Sequence, residues 1–541
     1  MKDTQKQRYI FITGGVLSSL GKGIVASAIG ALLEGMGHSI EFLKLDPYLN
    51  VDPGTMSPLQ HGEVFVTQDG TETDLDLGNY ERFTHVTLTQ SNSMTAGKIY
   101  TNLLAKERAG VFLGATVQTV PHLTNEIKEC IHQAYDKADV LIVEVGGTIG
   151  DIEGLPFIEA IRQMHSEDKK AACVYIHVTY VPFLKAAQEL KTKPTQHSAK
   201  ELRSLGIQPT IIIGRAEKEL PQSVKKKIAL FTDVDEKAVF SAPDFASVYH
   251  APVYFKNEGL DKTLADHLAL SYKEPDLAAW NQFLTGLSSL KKEVTIAIVG
   301  KYLDMKDAYK SLCEAITHAQ VAAQTGVHVE WMDAEELTDD TVEHKLKGVH
   351  AILVPGGFGE RRTEGKIAAA RYAREHKIPY FGICLGMQIA IIEYARNVLK
   401  LSGAHSTEFD SHTNYPVVTL MLDQKNKIKG GTMRLGAYPC TIKKNTLAHA
   451  IYKTNEVSER HRHRYEFNPA YISQFEKAGL TISGIYIEKN LPEIIELESH
   501  PFFIACQFHP EFKSKPFMPH PLFIAFIKAA KTYKDAHIKV D

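Results

Sequence analysis

The chain has 541 residues, of which 44% are hydrophobic and 23% are charged, and a chain of this length and composition is expected to form two or more globular domains. Its formal net charge of −3 argues against a surface for nucleic acid or another polyanion. The six cysteines form no CxxC pair, which argues against a zinc site or a disulfide framework. Because the sequence shows neither a signal-peptide layout nor an apolar run of membrane length, we expect a cytoplasmic protein with no membrane partner.

The first half of the chain alternates short apolar strands with helices. "RYIFITGG" is followed by a glycine-rich loop and by the apolar helix "IVASAIGALLEGMG", and further strand-like runs are "SIEFLKLD", "DVLIVEVGG", "ACVYIHVTYV" and "PTIIIG". Fully apolar strands that alternate with helices predict a parallel sheet covered on both faces.

The same pattern restarts after "KEPDLAAWNQFLTGLSSLKK", with "EVTIAIVGKY", "HAILVPGGFG", "IPYFGICLGMQIAIIEYA" and "PFFIACQFHPEF". We therefore predict an α/β protein of two domains, each with a mostly parallel sheet flanked by helices. The first domain would span residues 1–272 and the second 293–541, with a linker over residues 273–292.

The glycine-rich loop "GGVLSSLGKG", residues 14–23, lies where a strand meets a helix. Backbone N–H groups at a helix N-terminus favour anions, and Lys22 adds a full positive charge, so the loop is typical of a phosphate site. It departs from the usual phosphate loop because Gly23 replaces the Ser or Thr that holds the metal. The alternative is a flexible turn with an exposed lysine.

Carboxylates elsewhere could hold that metal. Asp74 and Asp76 follow the loop in sequence, and Glu144 ends an apolar strand, the place where open α/β sheets bind ligands. Mg²⁺ usually takes one or two protein carboxylates together with phosphate oxygens. Lys191 and Lys193, two apart, would share one side of an extended segment and could clamp further phosphates, although a solvated lysine loop is the simpler alternative.

"IPYFGICLGMQ" places Cys384 between Gly382 and Gly386, just before an apolar helix. This is the cysteine form of the nucleophile elbow, and a position at a helix N-terminus favours the reactive thiolate. "CQFHPEF" supplies His509 as a base and Glu511 to orient it, and "LVPGGFG" supplies N–H groups for an oxyanion hole. The alternative is a buried structural cysteine.

PGGFG, GxCxGMQ and HPE, in that order, resemble the class I glutamine amidotransferases. Together with the N-terminal motifs, they make nearly the whole chain similar to the cytidine triphosphate (CTP) synthase family. The further motifs are "GGVLSSLGKG", "KLDPYLNVDPGTMSPLQHGEVFV", "DGTETDLDLGNYERF", "FLGATVQTVPH", "VEVGGTIGDIEG", "ELKTKPTQHS", "KIALF", "GGTMRLG" and "ERHRHRYEFN".

This resemblance implies a P-loop-like synthetase domain followed by a glutamine amidotransferase domain. ATP and Mg²⁺ would phosphorylate O4 of UTP, and ammonia from glutamine would displace the phosphate to give CTP, the last step of de novo CTP synthesis. The resemblance also implies GTP as an activator, CTP as a feedback inhibitor, a homotetramer and no redox cofactor.

The resemblance assigns site residues by their position in these motifs. The glutaminase residues would be Cys384, His509 and Glu511, and Asp76 and Glu144 would bind the metal. ATP would be bound by Ser19, Leu20, Gly21, Lys22, Gly23, Ile24, Lys44 and Asp76. UTP or CTP would be bound by Ser18, Asp151, Ile152, Glu153, Lys191, Thr192, Lys193, Pro194, Thr195, Gln196 and Lys227. Glutamine would be bound by Gly357, Leu385, Gly386, Met387, Gln388, Glu408 and Arg464.

One position departs from the family pattern. After PGGFGER the family usually has Gly, whereas this chain has Arg362. If that position requires a positive φ, an arginine there costs about 1–2 kcal/mol, which would affect glutamine affinity or GTP activation more than the chemistry.

Two other functions fit part of the pattern: a glutamine-dependent ligase with another acceptor, and a nucleotide-switched structural protein of the partitioning-ATPase type. A product assay with UTP separates all three.

Overall fold

The computed structural model describes residues 7–135, 138–167, 171–300, 306–357, 362–420 and 433–537. These residues group into two units. The first unit comprises Met1–Pro53 and Asp76–Leu284, and the second comprises Gly54–Leu75 and Thr285–Asp541.

A parallel sheet forms the centre of the first unit. Within the described residues it has seven strands, in the spatial order Val239–Ala242, Ile211–Arg215, Ala172–Tyr180, Arg8–Gly14, Val140–Val145, Ile40–Asp46 and Ser93–Thr95. All neighbouring strands are parallel, so their carboxyl ends meet at one edge of the sheet. Side chains alternate between the two faces of a strand, and residues 9–12 of the central strand are all buried, so both faces of the sheet are covered.

Helices connect these strands and cover the sheet. They are Lys22–Gly35, Leu75–Phe83, Ala96–Arg108, Thr124–Ala134, Leu155–Glu167, Lys193–Ser204, Gln222–Thr232, Ala251–Glu258, Leu260–Leu268 and Ala278–Ser289. Two short strands, Phe183–Leu184 and Glu189–Leu190, pair antiparallel ahead of the helix that begins at Lys193.

The second unit contains a larger sheet, which has nine strands within the described residues. Their order is Gly326–Asp333, Lys292–Gly300, Ala351–Val354, Tyr380–Ile383, Phe503–Cys506, Leu491–Leu497, Leu480–Tyr486, Arg434–Ile442 and Glu456–His463. The first five strands are parallel and the remaining pairings are antiparallel. The predicted α/β class with two domains is confirmed; the sheet of the first unit is parallel, whereas that of the second unit is mixed, with four parallel and four antiparallel pairings between its described strands.

The other elements of the second unit surround this sheet. The helices are Pro58–His61, Lys310–Ala322, Val342–Lys345, Thr363–Glu375, Leu385–Asn397, Leu447–Tyr452, Ile472–Lys477 and Pro521–His537. A small sheet joins His405–Ser406, Pro416–Leu420 and Tyr465–Phe467.

Gly54–Leu75 groups with the second unit although it comes from the N-terminal part of the sequence. Its strands Phe65–Val66 and Glu72–Thr73 pair antiparallel and form a hairpin with two residues in each strand. Phe65 and Val66 are buried, and the N–H of Ala437 donates to the carbonyl of Gln68 at 3.0 Å. The sequence predicts that all of residues 1–272 belong to the first domain. These domain bounds remain a prediction.

The predicted linker, residues 273–292, contains the helix Ala278–Ser289. Trp280 is buried, and its ring centroid lies 5.2 Å from that of Phe83. In the part of the chain that the structure describes, no helix is both long and apolar enough to cross a membrane.

Candidate functional site

The glycine-rich loop of the first unit joins the strand Arg8–Gly14 to the helix Lys22–Gly35. Gly21 begins this helix with φ 86°, a conformation that suits glycine. A Cβ at Gly15 would lie 1.6 Å from Oγ of Ser198, and one at Gly23 would lie 1.9 Å from Oδ1 of Asp76. Glycine is therefore required here by close packing against two other candidate elements.

The lysine of the loop is buried at the edge of the sheet. Nζ of Lys22 donates to the carbonyl of Gly147 at 2.9 Å, in the glycine pair that follows the strand Val140–Val145. Burial lowers the pKa of Lys22, against the opposing effect of the Glu144 carboxylate. Ser18 and Ser19 of the same loop are exposed, whereas Leu20 is buried.

Lys44 lies at the centre of a group of buried and partly buried carboxylates. Its Nζ is 2.5 Å from Oδ2 of Asp76, 2.7 Å from Oε1 of Glu144 and 3.8 Å from Oδ1 of Asp46. Burial, followed by the charge of Asp76, raises the pKa of Glu144, which also accepts a hydrogen bond from Tyr80. The lysine of the loop also acts on Asp46 and Glu144, whose pKa values are raised by burial, so a bound cation would further stabilise their charged forms.

The carboxylates predicted to hold a metal, Asp76 and Glu144, are therefore close together, since both contact the same ammonium group. Among the described residues, no three His, Cys, Asp or Glu side chains are placed to hold a metal by themselves. A magnesium ion here would need phosphate oxygens or water as further ligands, which is its usual preference.

The lysines predicted to lie on one extended segment do not. The prediction is wrong because Lys193 begins the helix Lys193–Ser204, with Pro194 in its first turn, where a missing N–H leaves no hydrogen bond unmade. Lys191 precedes the helix and pairs with Glu189. The pKa of Glu189 is lowered by its hydrogen bond and ion pair with Lys191 and, more weakly, by the charge of Lys227.

The remaining candidates for pyrimidine nucleotide contacts divide by exposure. Gln196 donates to Oγ1 of Thr192 at 2.9 Å, and the hydroxyls of Thr195 and Thr179 are 3.1 Å apart, so these side chains stabilise the helix start. By contrast, Ser18, Asp151, Ile152, Glu153 and Lys227 are exposed and accessible to a ligand.

Sequence reasoning missed a buried link beneath the loop. The ring nitrogens of His177 lie 2.9 Å from Oγ1 of Thr13 and 2.8 Å from Oγ of Ser198. Burial lowers the pKa of His177 to about 3, so the ring is neutral and can donate one hydrogen bond and accept the other. The link joins the strand before the loop to the helix that begins at Lys193.

In the second unit, Cys384 lies between the strand Tyr380–Ile383 and the helix Leu385–Asn397, with φ 51° and ψ −100°. A Cβ at Gly382 would lie 2.7 Å from the backbone of Gly386, and one at Gly386 would lie 2.1 Å from the carbonyl oxygen of Val354. The tight turn predicted from G-x-C-x-G is present, and both glycines are needed to form it.

His509 and Glu511 lie against the same site. Nδ1 of His509 is 2.7 Å from Oε1 of Glu511. Burial alone would lower the pKa of the imidazole, but the charges of Glu511 and Cys384 raise it to about 10. The side-chain contact with Cys384 is one of the effects that raise this pKa, which places the imidazole beside the thiol.

The thiol has neighbours that the sequence did not indicate. Sγ of Cys384 lies 3.9 Å from the carbonyl oxygen of Arg462 and 3.7 Å from Nε2 of Gln507. Gln507 follows the strand Phe503–Cys506, two residues before His509, and this position in "CQFHPEF" was the available signal.

A cavity of about 440 Å³ opens beside these residues. The predicted site residues that line it are Gly357, Arg464, His509 and Glu511. Gly356 lines it too, and a Cβ there would lie 2.6 Å from the ring of His509. Of the predicted oxyanion loop, Phe358 and Gly359 lie outside the described residues.

The other glutamine candidates surround the elbow. Leu385, Gly386 and Met387 are buried in the first turn of the helix that follows Cys384. Nε2 of Gln388 donates to the carbonyl of Tyr465 at 2.9 Å. Burial, followed by the charge of Glu408, raises the pKa of Tyr465, which places Glu408 near the same strand.

Arg362 has the positive φ that the family glycine suggested. Its φ is 72° and its ψ 17°, and it begins the helix Thr363–Glu375. The side chain pairs with Asp333 at 3.2 Å and with Glu335 at 3.1 Å. The arginine therefore gains two ion pairs at a position where its backbone is strained.

Comparisons with known proteins cover both halves of the chain. A family model described as CTP synthase N-terminus matches residues 8–270, and one described as glutamine amidotransferase class-I matches residues 304–529. A CTP synthase of Hydrogenobaculum sp. (strain Y04AAS1) is 58% identical over 528 residues, which are 97% of this chain and 98% of that protein. A CTP synthase of Aquifex aeolicus (strain VF5) is 55% identical over 528 residues, which are 97% and 99% of the two chains.

Among solved structures, the glutaminase domain of Trypanosoma brucei CTPS with bound acivicin is 44% identical to the matching part of this chain. It covers 44% of this chain and 94% of its own, with a TM-score of 0.43.

Proposed function

The chain belongs to the CTP synthase family of glutamine-hydrolysing C–N ligases, and on that premise we propose that it uses ATP to aminate UTP through a 4-phosphorylated UTP intermediate, with ammonia from glutamine. The observation that carries the proposal is that one chain holds two distinct reaction centres. One is the buried lysine and carboxylate cluster of the first unit, and the other is the Cys384, His509 and Glu511 group of the second.

In the first unit, Lys22 and Lys44 act on the phosphates of ATP. Lys22 lies in the glycine loop and is partly desolvated, so its charge acts strongly on a phosphoryl group in transfer. Ser19, Leu20, Gly21, Gly23 and Ile24 complete the loop around the nucleotide. Asp76 and Glu144 would hold Mg²⁺, which neutralises the phosphate charge when bound.

The pyrimidine nucleotide binds at the start of the helix Lys193–Ser204. The basic side chains at this helix N-terminus and the free N–H groups of the helix both favour the binding of an anion such as phosphate. The link from Ser198 through His177 to Thr13 holds this helix beside the ATP loop, which supports two nucleotides reacting with each other. Ser18 and the exposed residues 151–153 contact the same pyrimidine nucleotide.

In the second unit, the Cys384 thiolate attacks the glutamine amide carbon and ammonia leaves as the glutamyl thioester forms. His509 takes the thiol proton and gives it to the leaving nitrogen, and its raised pKa keeps that proton on the ring until then. Glu511 orients the ring and stabilises its positive charge. Water then hydrolyses the thioester to glutamate, while Arg464 and Glu408 hold the ends of glutamine.

Regulation and assembly belong to the same proposal: GTP activates, CTP inhibits, and the protein forms a homotetramer. Exposed apolar side chains on the first unit support association with further copies, because such residues are costly to leave in water. Leu104 and Val111 are more than half exposed, and Leu113 is 94% exposed.

The test is CTP production from UTP, ATP and Mg²⁺, with glutamine or ammonium chloride as nitrogen source, in the wild type and in Cys384→Ala. The variant should lose synthesis from glutamine, because no thioester can form, and should keep synthesis from ammonia. A wild type that makes no CTP from either source refutes the proposal and favours a ligase with another acceptor or a structural nucleotide switch.

A further inference from the structure

Alternate residues of the strand Glu456–His463 point towards the segment Gly54–Leu75. Nη1 of Arg460 donates to the carbonyl of Val66 at 3.1 Å, and its guanidinium lies 5.4 Å from the centre of the Phe65 ring. Arg462, two residues further on, contacts Glu72. This strand therefore binds the middle of the segment through one arginine and its end through the next.

Arg462 joins the two ends of the segment. Its Nε donates to Oε1 of Glu72 at 2.8 Å, and its Nη2 donates to the carbonyl of Gly54 at 3.3 Å. The Glu72 side chain is only 2% exposed, and a Cβ at Gly54 would lie 2.0 Å from its other carboxylate oxygen. The ion pair is thus buried and closely packed, so it restrains both ends of the segment at once.

The segment is also a wall of the glutaminase cavity. Gly54, Thr55, Met56, Glu63 and Val64 line that cavity together with His509 and Glu511. The Phe65 ring packs edge-on against Phe512, 5.2 Å away, and Phe512 stacks on the His509 ring at 5.1 Å. Arg462 itself lines the cavity, and its carbonyl oxygen contacts the Cys384 thiol.

We propose that the Arg462–Glu72 ion pair is a positioning pair that keeps Gly54–Leu75 in place as a cavity wall, so that ammonia released from glutamine is retained for the amination step. The inference rests on the proposed function. Each glutamine hydrolysed yields one glutamate and one ammonia, and each CTP formed consumes one ammonia. A displaced wall would let ammonia escape, so that glutamate would form in excess of CTP.

The test compares Glu72→Gln with Asp69→Asn by measuring glutamate and CTP in the same reaction. Both variants remove one carboxylate from this segment, but Asp69 is exposed and bonds Thr67 and Thr71 in the hairpin turn. We expect Glu72→Gln to raise the ratio of glutamate to CTP by about threefold or more, the scale of coupling between contacting residues. Asp69→Asn should keep the wild-type ratio, and saturating ammonium chloride should restore CTP synthesis in Glu72→Gln.

The outcomes separate this inference from the proposed function. If Asp69→Asn and the wild type make no CTP from glutamine, the proposed function fails. If they do, an unchanged ratio in Glu72→Gln overturns the role of the pair. Loss of glutamate formation with intact ammonia-dependent synthesis also overturns it, because the pair would then serve the Cys384 chemistry.

Removing one partner leaves a buried guanidinium, so Glu72→Gln can fail to fold. The double variant Glu72→Gln/Arg462→Gln, which removes both charges of the pair, then decides. A raised ratio in the double variant supports the inference. A wild-type ratio, or loss of ammonia-dependent synthesis as well, overturns it.

Discussion

At the scale of single residues, the carboxylates around Lys44 lead to a prediction about the magnesium concentration that synthesis requires. Asp76 and Glu144 both contact Lys44, and Asp76 also lies against Gly23 of the loop. Asp76→Asn keeps the shape of the side chain but removes one charge from the group. We expect ammonia-dependent CTP synthesis to need about tenfold more magnesium or to be lost, since Mg²⁺ has few other protein ligands here.

The control for this variant is Asp266→Asn, which removes one exposed carboxylate from the helix Leu260–Leu268 of the same unit. Magnesium titrations of ammonia-dependent synthesis compare the two. The same titration curve for Asp76→Asn and the wild type would remove Asp76 from the metal site.

The His509–Glu511 pair leads to a prediction about how the stability of the protein depends on pH. The pKa of His509 is raised from 6.5 to about 10 in the folded chain, so the folded state binds this proton more tightly than the unfolded state does. The stability gained from the pair is therefore fully present below about pH 6.5 and is lost as the pH rises through about 10. Glu511→Gln removes a charge that raises this pKa.

We expect the melting temperature of the wild type to fall between about pH 6.5 and about pH 10 more steeply than that of Glu511→Gln. Glu476→Gln, which removes an exposed carboxylate of the same unit, should keep the wild-type slope. Parallel slopes for wild type and Glu511→Gln would show that the pair does not hold the proton.

At the scale of elements, the start of the helix Thr363–Glu375 combines strain with ion pairing. Arg362 has φ 72°, a conformation that costs about 1–2 kcal/mol for a residue with a Cβ. Its ion pairs with Asp333 and Glu335 are partly exposed, and such pairs contribute about 0–1 kcal/mol each. A glycine at this position would also lower the free energy of unfolding by about 0.4–1 kcal/mol, because it gives the unfolded chain more conformational freedom. For replacement by glycine, the strain that is relieved and the stabilisation that is lost therefore nearly cancel.

Arg362→Gly should therefore change the free energy of unfolding by less than about 1 kcal/mol. It should leave ammonia-dependent synthesis unchanged and alter only glutamine use or its response to GTP. Denaturant unfolding and CTP assays with both nitrogen sources measure this. Glu335→Gln is the control, because it removes an ion pair and keeps the backbone. If Arg362→Gly leaves glutamine use and the GTP response as in the wild type, the strain has no functional consequence.

Local pattern predicted some elements and missed others for physical reasons. Long apolar runs such as "DVLIVEVGG" identified the strands, and G-x-C-x-G identified the turn at Cys384, because those signals lie within a few residues. The spacing of Lys191 and Lys193 suggested an extended segment, whereas Pro194 lies in the first turn of a helix, a position to which proline is well suited. The hairpin at residues 65–73 has strands of two residues each, too short to show a periodic pattern.

The site residues, too, were predictable only where they lie in short sequence motifs. Cys384, His509 and Glu511 lie in short motifs, whereas Arg462 and Glu72 are 390 residues apart and each is an ordinary charged residue in its own context. The link from Thr13 through His177 to Ser198 depends on which side chains meet beneath the sheet edge, and only the folded chain shows that.

At the scale of the whole molecule, the second unit is not a continuous piece of the sequence. It contains Gly54–Leu75, whose buried Phe65 and Val66 contribute apolar surface to it. Each such side chain contributes about 1.5–3 kcal/mol when fully buried. A fragment of residues 285–541 would therefore lack part of its core and the partners of Arg460 and Arg462.

We expect this fragment to melt at a lower temperature than the same unit in the full chain and to expose the surface around Phe512. A peptide of residues 54–75 should bind the fragment and raise its melting temperature, since a ligand stabilises the folded state that binds it. The same peptide with Phe65→Ala and Glu72→Gln should bind more weakly, because it loses the contacts with Phe512 and Arg462. Thermal unfolding at increasing peptide concentration measures both. If the fragment melts like the unit in the full chain and neither peptide changes it, the segment contributes no stability, and its contacts serve only to close the cavity.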